Sequence, residues 1–176
     1  AARTSEVRGA SWSEFDLDSG VWTIPGPRMK VKKEHRVPLA ERPLEIVRKL
    51  KSNASGDFVF PGGKPGKRLS DMALLSVLRR LEIKLTVHGF RSSFRDWAAE
   101  QTQVPREVAE QALAHTLGNQ VEAAYLRSDF FEKRRNLMNL WAAHLEVVSQ
   151  APASKVSGIP GYPLQVAALN FDLRSS

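Results

Sequence analysis

The chain has 176 residues and a mass of 19.6 kDa, which suits one domain or one domain with a tail. Its 42% hydrophobic content excludes wholesale disorder, no apolar run approaches the ~20 residues of a membrane helix, and the opening AARTSEVRGA has no apolar stretch, so no secretory signal is expected. Cysteine is absent, which removes disulfide scaffolds, thiolate metal sites and cysteine nucleophiles, while 26 Lys and Arg against 19 Asp and Glu give +7 and a pI near 10.0, a balance that suggests a polyanionic partner but is shared by many basic proteins that bind none.

Taken in order, residues 3–11 read as the end of a helix. Asp18-Ser19-Gly20 is a turn signal, which makes 14–17 a short strand and 21–24 its partner. The run RMKVKKEHR over 28–36 holds five basic residues and one acid, and 35–39 reads as a further strand. Pro43 suits the first turn of a helix with Leu44, Val47 and Leu50 on one face. Ser70 can cap a helix whose Leu74, Leu75, Leu78 and Leu81 share a face. Phe90, Phe94, Trp97 and Ala98 fall at i, i+4, i+7 and i+8, the buried stripe of another helix. Pro105 opens the next, with Gly118 as its stop. Residues 121–127 look helical, and 130–148 form a longer helix with Leu137, Trp141, Leu145 and Val148 inward. From 149 onward the only charges are Lys155, Asp172 and Arg174, set among three prolines and two glycines, a composition of an extended tail. The sum is an α+β fold: a domain over 1–148, mainly helical with a small antiparallel sheet beside the basic run, followed by a tail over 149–176.

Several residues carry chemistry. His88 and Arg91 lie i, i+3 on a helix, opposite the aromatic stripe or along its edge, and aim a titratable ring and a cationic fork at one place, as suits a phosphate; a surface arginine beside a turn histidine is the plainer reading of the pair alone. Arg3 and Glu6 repeat that spacing, where an intrahelical ion pair worth a few tenths of a kcal/mol is the plain alternative. Lys30 and Lys32 alternate with Met29 and Val31 and so share one face of a strand, either as a solvated edge or against a phosphate backbone. His115 follows Ala-Leu-Ala at a helix end, where a buried structural histidine is the ordinary reading. Of the two tyrosines, Tyr125 follows two alanines that leave its phenol accessible, and Tyr162 sits in a Gly-Tyr-Pro loop.

The order of these pieces is more telling than any one. A-R-T-S-E, K-V-K-K-E-H-R-V-P-L, H-G-F-R, L-A-H-T-L-G-N and E-A-A-Y together resemble the catalytic domain of the tyrosine recombinases, the phage integrase family. HGFRSSFRDWAAE and LAHTLGNQVEAAY are most similar to prophage integrases of the satellite-phage type. The likeness runs from residue 1 to about 146. It implies catalytic roles for Arg3, Lys30, His88, Arg91, His115 and Tyr125, with Glu6 the acidic companion of Arg3. Lys30 is counted back from Val37-Pro38-Leu39, and Lys32 stays open as the catalytic lysine. His115 stands in a position filled by His or Trp in relatives, and Tyr125 is the nucleophile. Arg28, Lys32, Lys33 and Arg36 are the expected DNA contacts.

In the implied reaction the two arginines clamp the charge that shifts onto the nonbridging oxygens of a phosphodiester. Lys30 protonates the departing 5′ oxygen, His88 takes the phenol proton or fixes the phosphate, and His115 donates to a nonbridging oxygen. A 3′-phosphotyrosyl link results, with no metal or nucleotide cofactor. Double-stranded DNA is the expected partner, bound by a homotetramer in the bacterial cytoplasm, with the tail crossing between protomers through 166–169. Relatives carry helices ahead of Arg3 and a separate clamping domain, so an amino-terminally truncated catalytic domain, and with it a DNA-binding unit without activity of its own, is the first alternative. A metal-dependent nuclease built on Asp16 and Asp18 is weaker, since that pair reads as the approach to a turn and no histidine has ligand spacing. A purely structural domain explains neither the ordered boxes nor the basic run.

Overall fold

The computed structural model describes residues 1–115 and 129–150, so Tyr125, the expected helix over 121–127, Gly118 and the tail from 151, with Tyr162 and 166–169, lie outside the described residues. The fold is mainly helical with a three-stranded antiparallel sheet. A short helix α1 (Thr4–Arg8) leads into β1 (Phe15–Asp16), β2 (Val21–Ile24) and β3 (His35–Pro38). Then come α2 (Glu41–Ser52), α3 (Ala73–Arg80), α4 (Gly89–Gln101), α5 (Arg106–Ala112) and α6 (Phe131–Gln150).

The sheet order is β1-β2-β3, with Asp16 opposite Val21 and Ile24 opposite His35. Gly20 takes a φ of +63°, a left-handed conformation open to a residue without a Cβ. The Asp16 carboxylate accepts the backbone N–H of Asp18 and Ser19, at 3.1 and 3.0 Å, so that side chain serves the turn. Two apolar clusters form. Trp22, Ile24, Met29, Val59 and Ala10 pack beneath the sheet. Phe94, Trp97 and Ala98 of α4 meet Val108, Ala109 and Leu113 at α5 and Leu137 of α6, with Trp141 4.9 Å from Trp97. Each fully buried large side chain here contributes about 1.5–3 kcal/mol. Ala1 packs on the helical cluster, while Ala2 and Ala114 pack on the sheet cluster, so the chain just before α1 runs along the seam between them.

Four expectations need correction. The basic run is not a strand at Lys30 and Lys32. Pro25 and Pro27 lack ladder donors, β2 stops at Ile24, and a 3-10 turn (Gly26–Arg28) follows. Met29 is buried, Val31 is exposed and Lys32 has a φ of +55°, so Lys30 stands on a loop beside the sheet. Second, the inward stripe of α4 is Arg91, Phe94, Trp97 and Ala98, whereas Phe90 is 45% exposed. The stripe is rotated because Arg91 finds acceptors inside. Third, α3 begins at Ala73 with no side-chain cap; the Ser70 carbonyl instead accepts the Ala73 N–H at 3.2 Å. Fourth, Leu145 is exposed on α6, and Arg134 takes a place on its buried face.

Candidate active site

The site is organised by the end of α5. Ala114 has a φ of +49°, and two backbone bonds close around it: the His115 N–H to the Glu110 carbonyl and the Ala114 N–H to the Gln111 carbonyl, both 3.0 Å. This is the Schellman arrangement, with alanine where glycine is usual. Glu110 and His115 are thereby drawn together. The last carbonyls of a helix have no intrahelical donors and lie at the negative end of its dipole. Two guanidiniums use them here. Arg91 Nη2 donates to the Leu113 carbonyl at 2.7 Å, and Arg3 Nη2 donates to the Ala114 carbonyl at 2.8 Å. Helix α4 therefore delivers Arg91, and the entry to α1 delivers Arg3, to adjacent peptide units.

Each arginine is then fixed from its other side. Glu6, 2% exposed, accepts from the Arg3 backbone N–H at 2.6 Å and from Nη1 at 2.8 Å. That pair is an anchored contact and not the loose surface pair that i, i+3 spacing alone describes. Arg91 Nη1 donates to the Ala1 carbonyl, and Nη2 also reaches His115 Nε2 at 3.2 Å. Arg91 is 7% exposed, and no carboxylate among the described residues pairs with it. Burial, then the Arg3 guanidinium, push its pKa down from the ordinary arginine value, with Glu6 acting in the opposite sense. An arginine stays charged under such pressure, so the cation is held at a cost.

A cleft of about 480 Å³ opens on this pair, lined by Arg3, Thr4, Ser5, Arg8, Lys30, His88, Arg91 and His115. Five of the six residues expected to be catalytic thus share one basic concavity, and the sixth, Tyr125, lies outside the described residues. His88 is exposed at the entry to α4, and Lys30 is exposed on its loop. Of the expected DNA contacts, Lys32 and Lys33 are exposed on the same loop, while Arg36 is ion-paired with Asp129 at 2.8 Å. Arg28 is turned inward instead, onto the Glu14 carboxylate and the Glu6 carbonyl, where it braces α1 against the sheet. That engagement separates it from the exposed lysines of its run.

Three features escaped the sequence reading. Glu110 is buried on α5 and sits 2.6 Å from His115 Nδ1. Arg8 is 7% exposed and lines the cleft, paired with Asp71 and the Leu69 carbonyl. Arg134, 1% exposed, ties the start of α6 to β3: its Nη1 donates to the Arg36 carbonyl at 2.5 Å and its Nε to the Asp129 carbonyl at 2.7 Å. Asp129 also accepts from Arg134 Nη2 at 3.1 Å. Burial works against the charge on Asp129, but Arg36 and Arg134 outweigh it and hold the carboxyl below its ordinary range. No spacing rule marks these residues, because their partners are far away in the sequence or across a helix end.

A helical body with a small sheet thus brings two arginines to one helix end, at a basic cleft. Residues 1–132 match the phage integrase family, and the chain belongs to that family. It is 37% identical over 144 residues to the prophage integrase IntA of Escherichia coli K12, covering 80% of this chain and 35% of that protein. It is 34% identical over 165 residues to the integrase of Enterobacteria phage P4 (82% and 37%) and 32% identical over 151 residues to the integrase of Shigella phage Sf6 (83% and 39%). The chain thus spans little more than a third of the length of these relatives. No solved structure matches it significantly.

Proposed function

We propose that the protein carries out site-specific DNA strand exchange, integrating or excising a prophage-like element, through a 3′-phosphotyrosyl intermediate. The observation that carries the reading is the single basic cleft lined by Arg3, Lys30, His88, Arg91 and His115, which come from four separate stretches of sequence. Kinship with proteins named integrases supports it.

The reaction follows from what these groups do to a phosphodiester. Arg3 and Arg91 hold the nonbridging oxygens and stabilise the charge that grows on them. The Tyr125 oxygen attacks phosphorus, forming a P–O bond as the bond to the 5′ oxygen breaks. The phenol proton passes to His88, and Lys30 gives a proton to the departing 5′ oxygen. His115 donates to a nonbridging oxygen. Attack by a free 5′-hydroxyl from another strand reverses the step and joins new partners. Lys32 and Lys33 lie along the backbone of a double-stranded DNA, and the working unit is a homotetramer whose tails, from 149, cross between protomers. No described helix is long and apolar enough to cross a membrane, and the reaction belongs in the bacterial cytoplasm with its DNA.

The test is a nicked suicide duplex followed by a denaturing gel. A covalent adduct is expected with the wild-type chain and none with Tyr125→Phe, which keeps the ring and removes only the attacking oxygen; Tyr162→Phe should have no effect. An adduct that persists in Tyr125→Phe overturns the nucleophile. A second reading, which the same basic cleft allows, is a DNA-binding unit without activity of its own. Tight, salt-sensitive DNA binding with no wild-type adduct would select it.

A further inference from the structure

We infer that Glu110 is a positioning residue that fixes the tautomer and orientation of the His115 ring in the cleft. The geometry stands by itself; its consequence for catalysis rests on the strand-exchange reading above. Glu110 is 9% exposed, and its Oε2 lies 2.6 Å from His115 Nδ1. Its other oxygen, Oε1, receives Arg95 Nε at 3.3 Å. On the far side of the ring, Nε2 lies 3.2 Å from Arg91 Nη2.

The proton positions follow from donor and acceptor rules. A guanidinium only donates, so His115 Nε2 presents its lone pair to Arg91. An ionised carboxylate only accepts, so the ring proton sits on Nδ1 and is donated to Glu110. Free imidazole side chains in water favour the opposite tautomer, with the proton on Nε2. That form would aim an N–H at the guanidinium and leave Glu110 facing a bare lone pair, two unfavourable contacts at once. Arg95 and Arg91 stand one turn apart on α4, so Arg95–Glu110–His115–Arg91 closes a ring of contacts between α4 and α5.

The same arrangement lets His115 change role when a phosphate enters. To donate to a nonbridging oxygen, Nε2 must carry a proton while Nδ1 keeps its own. The ring then takes one proton from solvent and becomes an imidazolium with two donors, one on Glu110 and one on the phosphate. Orienting an imidazole through a carboxylate on its second nitrogen is a general device for holding a tautomer.

The experiment is nitrogen-15 NMR of the histidine rings in the DNA-free chain. Wild-type His115 should show a protonated Nδ1 and a bare Nε2. A protonated Nε2 in the neutral wild-type ring overturns the assignment without any variant. In Arg91→Leu, which removes the guanidinium on the other side of the ring, His115 should keep Nδ1–H through Glu110; adding Glu110→Leu should release it to the Nε2–H form, whereas adding Glu110→Gln, whose amide oxygen still accepts, should retain Nδ1–H. A switch to Nε2–H in folded Arg91→Leu alone, or retention of Nδ1–H in the folded Arg91→Leu/Glu110→Leu chain, overturns the proposal. In the adduct assay Glu110→Leu should react at least ~10-fold more slowly, the scale for losing a group that orients a reacting side chain. An unchanged rate in a folded Glu110→Leu overturns the positioning role. Should the wild type form no adduct, strand exchange fails as a reading while the ring spectra still decide Glu110.

Discussion

Arg91 and Arg134 are two arginines of one chain, each more than nine-tenths buried, and they have opposite surroundings. Arg134 meets the Asp129 carboxylate and two carbonyls, so its charge is answered within the protein. Arg91 meets two carbonyls and an imidazole nitrogen, with a second guanidinium, Arg3, near enough to oppose its charge. The first is a structural latch. The second is a cation held out of water with no carboxylate paired to it among the described residues, at the floor of an open cleft. A buried charge of that kind is costly to hold, and in the strand-exchange reading proposed above the phosphate answers it.

The comparison breaks most readily by exchanging the expected effects. Arg91→Ala should slow adduct formation at least ~100-fold, the scale for losing a donor to transition-state charge, and should lower stability by less than the Arg134 variant does, because the charge that burial opposes leaves together with its two carbonyl contacts. Arg134→Met should do the reverse, lowering stability by about 3 kcal/mol because buried carbonyls lose their donor and the start of α6 loses its tie to β3. Chemical denaturation beside the adduct gel reads both. Equal loss of stability in the two variants would erase the distinction.

His35 sharpens the structural half. It lies on β3, and burial, followed by the Arg134 charge, brings its pKa down from the usual 6.5 to about 4. The folded state therefore holds the neutral ring, and the unfolded chain binds the extra proton between those values. Stability from this residue is fully present above about 6.5 and is lost as pH falls toward 4, by about 3 kcal/mol. His144, whose pKa burial also lowers, adds in the same direction. His35→Gln should flatten the decline in denaturation midpoint between pH 7 and pH 4, and an unchanged slope would contradict the assignment.

The smallest expected effect is at the helix end that gathers the arginines. Ala114→Gly removes a Cβ from a left-handed residue and should raise stability by about 0.5–1 kcal/mol, since relief of that conformation exceeds the added flexibility of the unfolded chain. A loss of stability in thermal unfolding would mean that the packing of Ala114 on the sheet cluster outweighs its backbone strain.

Much of this was legible in the sequence, and the rest has physical reasons. The strands flanking Gly20, the helix after Ala40 and the long helix over 131–150 follow from turn residues and apolar spacing, which local structure obeys. Arg3, Lys30, His88, Arg91 and His115 stood out through short ordered motifs. Phe90 misled because a 3.6-residue stripe counts apolar residues, and here the inward place went to Arg91, whose acceptors come from α5 and Ala1. Glu110 was hidden because i, i+5 is not a helical neighbour until a left-handed residue folds the chain back over the helix end. Arg134 was hidden because an arginine in a polar stretch reads as surface unless one knows that Asp129 and β3 are waiting for it.

The most direct test of the account is to locate a tetrahedral anion. Crystals of the chain soaked in tungstate would reveal the ion through its anomalous scattering, without DNA and without any requirement for turnover. The account predicts tungsten between the guanidiniums of Arg3 and Arg91, with His115 turned from Arg91 toward the anion. An empty cleft beside tungstate bound elsewhere, at Arg134 or on the lysine loop, would contradict it.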